Sequence, residues 1–228
     1  MEAAVRVLVA AGCRVHHALP VDGKRQALCC GRTFLAVGAV EQARVEVRRS
    51  VAALAPYAAR GVPIIGLEPS CVFTFRDEIP KLLPGMGTAA LAQCVMLLEE
   101  FLAADARAAD VLKAKLKPVA AKAYLHGHCH QKAFGAMGAV EQALRLVPGL
   151  AVETIQSSCC GMAGAFGYQA ETLDASRAMA ELSLLPAVRK AEPDALIVAN
   201  GTSCRHQIAD GAGREALHVA EVLARGLV

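Results

Sequence analysis

The chain has 228 residues, 55% of them hydrophobic and 20% charged, enough apolar material for one large core or two small ones. A formal net charge of +3, basic runs no longer than two and only 4% aromatic residues argue against a nucleic-acid surface. No apolar stretch reaches the ~20 residues of a membrane span, and residues 1–25 lack the layout of a secretory leader, so the expected location is cytoplasmic.

In chain order, residues 2–11 are predicted as a helix stopped by Gly12, and residues 14–18 as a short strand. A long amphipathic helix is expected over 39–60 and a buried strand over 62–67. Pro69-Ser70-Cys71 reads as a turn, with helices following at 73–83 and 88–104. The lysine-rich stretch ending at Pro118 is the expected boundary, giving a first unit of residues 1–117 and a second of 118–228. The plan then restarts with a strand at 119–125, a loop at 126–131, a helix at 136–147 and a strand at 150–155. A helix at 171–189, a strand at 195–199, a loop at 201–204 and a last helix near 215–227 complete it. Strands alternating with helices imply an α/β fold with mainly parallel sheets.

Nine cysteines, odd in number, point to metal or redox chemistry rather than to a framework of bridges. Two adjacent pairs precede glycine, Cys29-Cys30-Gly31 and Cys159-Cys160-Gly161. Cys30 and Cys160 are 130 residues apart, and Cys71 and Cys204 are 133 apart. The chain therefore reads as two similar α/β repeats related by pseudo-twofold symmetry. The first repeat has no opening strand of its own and is expected to be truncated at its amino-terminal side.

Ligands of open α/β sheets gather beyond the carboxyl ends of the strands. Three such ends carry Cys129, Cys159 with Cys160, and Cys204, which are expected to converge as a metal-ligand set. No C-x-x-C occurs, which counts against zinc ribbons, thioredoxin-like sites and ferredoxin-type clusters. Four thiolates suit tetrahedral zinc or an iron–sulfur cluster; the adjacent pair favours several irons, while reactive or merely buried thiols stay open. Cys29, Cys30 and Cys71 form a second, three-thiol candidate, with Arg32 in the same cleft. Cys13 and Cys94 read as packing residues. His128 and His130 flank Cys129 and, in an extended segment, share the face opposite it. They are candidates for metal, sulfur or substrate contact, or for plain loop hydrogen bonding. Arg205 and His206 follow Cys204; Arg32 and Arg205 suit an anionic carboxylate, and His206 a supporting contact. Gly161, with Gly164 and Gly167, is expected to let the backbone approach the cofactor, whereas His16, His17 and His218 read as surface or helix residues.

The paired-cysteine turns, one in each repeat, resemble the cysteine-rich (CCG) domain of heterodisulfide reductase, lactate-utilisation proteins and the iron–sulfur subunit of glycolate oxidase. The strings CCGR at 29–32, GLEPSC at 66–71, RDE at 76–78, HGHCHQK at 126–132, SSCCGMAGAFGY at 157–168 and GTSCRHQI at 201–208 carry a closer resemblance. They are similar to the carboxyl-terminal part of FAD-linked D-2-hydroxyacid dehydrogenases of glycolate, D-lactate or 2-hydroxyglutarate type. That resemblance implies an iron–sulfur module, 4Fe-4S in type, relaying electrons from FAD to an acceptor. It also implies FAD-binding and ferredoxin-like domains as partners within a longer parent chain, so that the module is not catalytically complete alone. The chain departs from the fuller pattern at Cys71 and Cys204, neither of which opens a C-x-x-C. A structural zinc module that docks to a redox partner is the alternative from a different class, and a thiol redox protein a third.

Overall fold

A computed structural model describes residues 1–228, which form two compact units. One comprises Met1–Val15 with Leu102–Val228, the other His16–Phe101. The opening helix α1 (Glu2–Ala10) buries Ala4, Val7 and Leu8, packs against the last helix of its own unit, and ends where Gly12 takes φ +85°. Residues 14–18 form no strand: Arg14, His16 and His17 are exposed and no neighbouring chain offers them a ladder.

The unit His16–Phe101 is built on α2 (Arg32–Ala36), α3 (Val40–Ala58), β1 (Ile64–Gly66), α4 (Pro69–Arg76), α5 (Glu78–Leu82), α6 (Thr88–Cys94) and β2 (Val95–Leu97). β1 and β2 pair in parallel, with Ile64 opposite Val95. Pro69 sits in the first turn of α4, and the Glu68 carboxylate accepts from the Ser70 N–H, so the expected turn is a capped helix start that carries Cys71. The helix expected over 73–83 divides at Asp77. The one expected over 88–104 is interrupted by β2 and resumes as α7 (Leu98–Ala104). There the Leu97 N–H donates to Glu100 Oε2 at 2.9 Å, capping the restart, while Val95 and Leu97 are buried.

In the other unit the chain continues through α8 (Ala106–Lys113), capped by Asp105, then β3 (Lys122–His126), α9 (Cys129–Ala133), α10 (Met137–Leu144) and β4 (Ala151–Thr154). It ends with α11 (Leu173–Glu181), α12 (Leu184–Lys190), β5 (Leu196–Ala199), α13 (Thr202–Ala212), β6 (Ala216–Leu217) and α14 (Val219–Arg225). The four strands form a wholly parallel sheet in the order β4-β3-β5-β6. Leu125, Ile197 and Val198 on the central strands are fully buried, as expected of a parallel sheet covered on both faces. The α/β class expected from the sequence is what the chain adopts.

Several boundaries differ from expectation. The compact units divide after Val15 and Phe101; Leu116 bridges Leu227 and the Lys117 N–H donates to Gly226 O, tying the segment after α8 to the residues that follow α14. The helix expected over 171–189 breaks between Glu181 and Leu184. Residues 202–204 are the first turn of α13 rather than loop, and β6 precedes the last helix. His218 is buried as the N-cap of α14, its ring accepting from the Ala220 N–H while its own N–H donates to the Glu221 carboxylate. No helix is long and apolar enough to cross a membrane.

Candidate metal centre

β3, β4 and β5 lie side by side and run the same way, so the segments leaving their carboxyl ends meet. His126 closes β3, Cys129 opens α9, Cys159 and Cys160 follow β4, and Cys204 lies in the first turn of α13 after β5. All four cysteines are free thiols. Cys160 Sγ and Cys204 Sγ stand 3.3 Å apart, both buried. Cys159 is hydrogen-bonded to both Cys129 and Cys160, so the sulfurs run in a chain 129–159–160–204 from the exposed rim inward.

Contact between these sulfurs divides their protons unequally. Hydrogen bonds from Cys129 and Cys160 hold Cys159 far below the ordinary thiol range, and the bond from Cys160 does the same for Cys204. Cys129 and Cys160 are driven upward, in each case first by the bond to Cys159. Burial pushes both further in the same direction. Cys159 and Cys204 are thus favoured as thiolates over Cys129 and Cys160 in a soft, all-sulfur donor set. The backbone of the turn contributes, since the Gly161 N–H donates to Cys159 Sγ at 3.2 Å.

Gly161 has φ +86°, and a Cβ there would lie 2.0 Å from the Ser176 carbonyl oxygen on α11. A Cβ at Gly167 would meet Met162 Sδ at 2.3 Å, while Gly164 faces open space. Gly161 and Gly167 therefore permit close packing of the turn against α11 and Met162. Gln207 Nε2 donates to both the Ser176 carbonyl and its hydroxyl at 3.2 Å, fastening the turn between α11 and α13.

The histidines expected beside Cys129 are placed differently from an extended segment. His128 is the N-cap of α9: its Nδ1 accepts from the His130 N–H at 3.2 Å, and its own N–H donates to Gln131 Oε1. The two rings stack obliquely at 5.2 Å, on a short helix rather than on one face of a strand. His128 also lies against Gly201, where a Cβ would come within 2.4 Å of its Cδ2 and 3.1 Å of Cys204 Sγ. His206 is turned to the exposed Tyr168, whose hydroxyl is 2.8 Å from Nδ1. Arg205 donates to the carbonyls of Ala199 and Asn200 and to the Thr202 hydroxyl, so it secures the end of β5.

Two residues escaped sequence reasoning. His126 is fully buried, and one of its ring nitrogens lies with Cys160 Sγ and Cys204 Sγ within 4.8 Å of one another. A histidine ending an otherwise apolar strand next to a cysteine loop was the available signal. Lys132 donates to the carbonyl oxygens of Ser157 and Ser158, the latter at 2.8 Å, and so ties the β3 loop to the paired-cysteine turn. It closes the HGHCHQK string at 126–132, but a lysine there gave no sign of this contact.

Within the unit His16–Phe101, the turn at Cys29-Cys30-Gly31 repeats these details. Gly31 has φ +78°, its N–H donates to Cys29 Sγ at 3.4 Å, and a Cβ would meet the Ala43 carbonyl oxygen on α3 at 3.1 Å. Cys30 Sγ and Cys71 Sγ are 3.1 Å apart. The bond from Cys71 lowers Cys30 to about 7 while raising Cys71, and burial raises Cys29. The three line a cleft of about 230 Å³ with Leu28, Ile65 and Phe75. Arg32 is ion-paired with Glu78 rather than left open to an anion. Cys13 belongs to the other unit, where burial and Asp105 raise its thiol. Cys94 ends α6 with its Sγ 3.7 Å from the Ala58 carbonyl, consistent with packing.

A four-stranded parallel sheet with a paired-cysteine turn at its carboxyl edge is the class of domain these features define. Residues 123–209 match the family described as Cysteine-rich domain (CCG), in agreement with the resemblance carried by the sequence strings. Over 202 residues the chain is 28% identical to one of the subunits of the anaerobic glycerol-3-phosphate dehydrogenase of Escherichia coli K12, covering 87% of this chain and 49% of that protein. It is 31% identical over 166 residues to the D-2-hydroxyglutarate dehydrogenase of Pantoea ananatis and 30% over 191 residues to that of Pseudomonas putida. Those alignments take in 72% and 82% of this chain but only 15% and 17% of the relatives. The chain thus spans about half the length of the first relative and a small part of the others. No solved structure matches it.

Proposed function

We propose that the chain is an iron–sulfur electron-transfer module of a flavin-linked D-2-hydroxyacid oxidoreductase. The observation that carries this reading is the convergence of Cys129, Cys159, Cys160 and Cys204 at one sheet edge, with Cys160 and Cys204 at 3.3 Å. Such a donor set fits a thiolate-bound cluster, and the lowered Cys159 and Cys204 thiols favour ligation, which releases the protons the other two still carry. When bound, an iron–sulfur cluster supplies one-electron redox chemistry. The chain's own part is ligation, burial of the inner sulfurs, and orientation of the two loops through Lys132 and the Gln207–Ser176 bonds. His128, against Gly201 and beside Cys204, would shield that thiolate from solvent.

Cys29, Cys30 and Cys71 are a second, three-thiol site in this reading, and the matched geometry of the two glycine turns supports a repeat relation between the halves read from the sequence as 1–117 and 118–228, with residues 1–15 and 102–117 packed into the carboxyl-terminal unit. The names of the relatives, a subunit of a glycerol-3-phosphate dehydrogenase and dehydrogenases of D-2-hydroxyglutarate, support an oxidoreductase setting, and the resemblance of the sequence strings adds a flavin-bearing domain or subunit as electron donor and a cytoplasmic location. Substrate chemistry would lie with that partner. A mononuclear zinc site is the second reading, favoured by the compact triad of His126, Cys160 and Cys204. Metal analysis with a visible spectrum separates them: iron with acid-labile sulfide gives a brown protein, zinc a colourless one.

A further inference from the structure

We infer that His126 is itself a ligand of the centre, donating Nε2 to a metal at its buried end alongside Cys160 and Cys204. The inference rests on the metal-binding reading above and adds a nitrogen donor to a set so far made of sulfur. Three observations carry it. A ring nitrogen of His126 and the two sulfurs lie mutually within 4.8 Å, close enough to share one ion. His126 is 0% exposed, so solvent does not reach the ring, and Nε2 makes no hydrogen bond of normal geometry. A buried polar atom left unpaired costs on the order of 1–3 kcal/mol, and native proteins seldom carry one without a reason.

The rest of the ring is already committed. Nδ1 lies 2.8 Å from Ser157 Oγ. Lys132 Nζ, which can only donate, approaches that same hydroxyl oxygen at 3.5 Å and holds the Ser157 and Ser158 carbonyls. If the hydroxyl oxygen accepts from both, the proton of the neutral imidazole resides on Nδ1 and the Nε2 lone pair is left for a metal ion held with the sulfurs. Fixing one ring nitrogen so that the other can ligate is how proteins usually present histidine to a metal. Ser157 and Lys132 are positioning residues for this donor. A neutral nitrogen in place of an anionic sulfur raises the potential of an iron centre, so a change of His126 to Cys should lower it.

The wild-type chain, reconstituted anaerobically with iron and sulfide and reduced by one electron, is examined by pulsed EPR. The expected result is a directly coordinated nitrogen whose coupling rescales when histidine is labelled with nitrogen-15. His126→Cys should keep iron, lose that coupling and shift to lower midpoint potential. Cobalt(II) loading of the metal-free protein provides a second reading: a hyperfine-shifted, exchangeable imidazole N–H proton is expected in wild type and should vanish in His126→Cys. Wild-type protein that takes no iron but shows the cobalt signal would contradict the iron–sulfur reading and keep the histidine ligand. Absence of a histidine nitrogen in both experiments, or its persistence in His126→Cys, would overturn the inference.

Discussion

Replacing Gly161 with alanine should damage the protein far more than the same change at Gly31, although both glycines follow a cysteine pair. Each has positive φ, +86° and +78°, so each alanine bears a left-handed penalty of about 1–2 kcal/mol. The surroundings then separate them. At Gly161 the new Cβ would sit 2.0 Å from the Ser176 carbonyl oxygen, backbone of α11 that has no free torsion with which to retreat. Relieving that overlap costs about 1–3 kcal/mol of overpacking. It also strains the Gln207–Ser176 bonds at 3.2 Å, for about 1 kcal/mol more. At Gly31 the nearest atom, the Ala43 carbonyl oxygen, is at 3.1 Å, which a shift of a few tenths of an ångström accommodates. The expected losses are about 3–6 kcal/mol for Gly161→Ala and about 1–3 kcal/mol for Gly31→Ala, the former comparable to the whole stability of many domains. Urea titration of the metal-free variants, followed by hydrogen exchange in β5 and β1 separately, measures each unit. Equal losses in the two units would refute the reasoning.

Three further outcomes follow from the same geometry. In the reduced, metal-free protein, alkylation should modify Cys159 before Cys129, because the half-buried thiol is lowered and the exposed one raised; the reverse order by mass spectrometry would contradict the proton assignment. Metal loading near neutral pH should release protons from Cys129 and Cys160, whose thiols are raised, so apparent metal affinity should fall as pH falls; calorimetry in buffers of different ionisation enthalpy counts them, and pH-independent affinity would exclude the assignment. Lys132→Met should destabilise the sheet-bearing unit by about 1.5–3 kcal/mol through loss of charged hydrogen bonds to the 157–158 backbone, with an unchanged melt counting against the tie.

What was legible in the sequence was the part written in long patterns. The 19-residue α3, the buried runs of β3 and β5 and the restart of the strand–helix plan announce an α/β chain, and the four cysteines fall at strand ends as topology requires. Short elements were lost. Val95-Met96-Leu97 is a three-residue strand inside a run whose apolar spacing suits a helix, and a Glu100 cap that redirects the chain leaves no periodic trace. Cys204 reads as loop because Gly201-Thr202-Ser203 carries turn residues, yet Gly201 and Thr202 begin α13. His126 was hidden by its position: the last residue of an apolar strand is expected to pack, and only the sheet order shows that it packs against Cys160 and Cys204. Nor does sequence disclose that the Ser176 carbonyl oxygen occupies the space a Cβ at Gly161 would need.

The central claim is that Cys129, Cys159, Cys160 and Cys204 hold an iron–sulfur centre. Anaerobic reconstitution of wild type, Cys160→Ser and Cys94→Ser, followed by quantification of iron, acid-labile sulfide and zinc, tests it most directly. The account predicts iron and sulfide bound together in wild type and in Cys94→Ser, and lost together from the carboxyl-terminal unit in Cys160→Ser. A wild-type protein that binds zinc without sulfide, or a Cys160→Ser variant that retains the full complement of iron and sulfide, would contradict it.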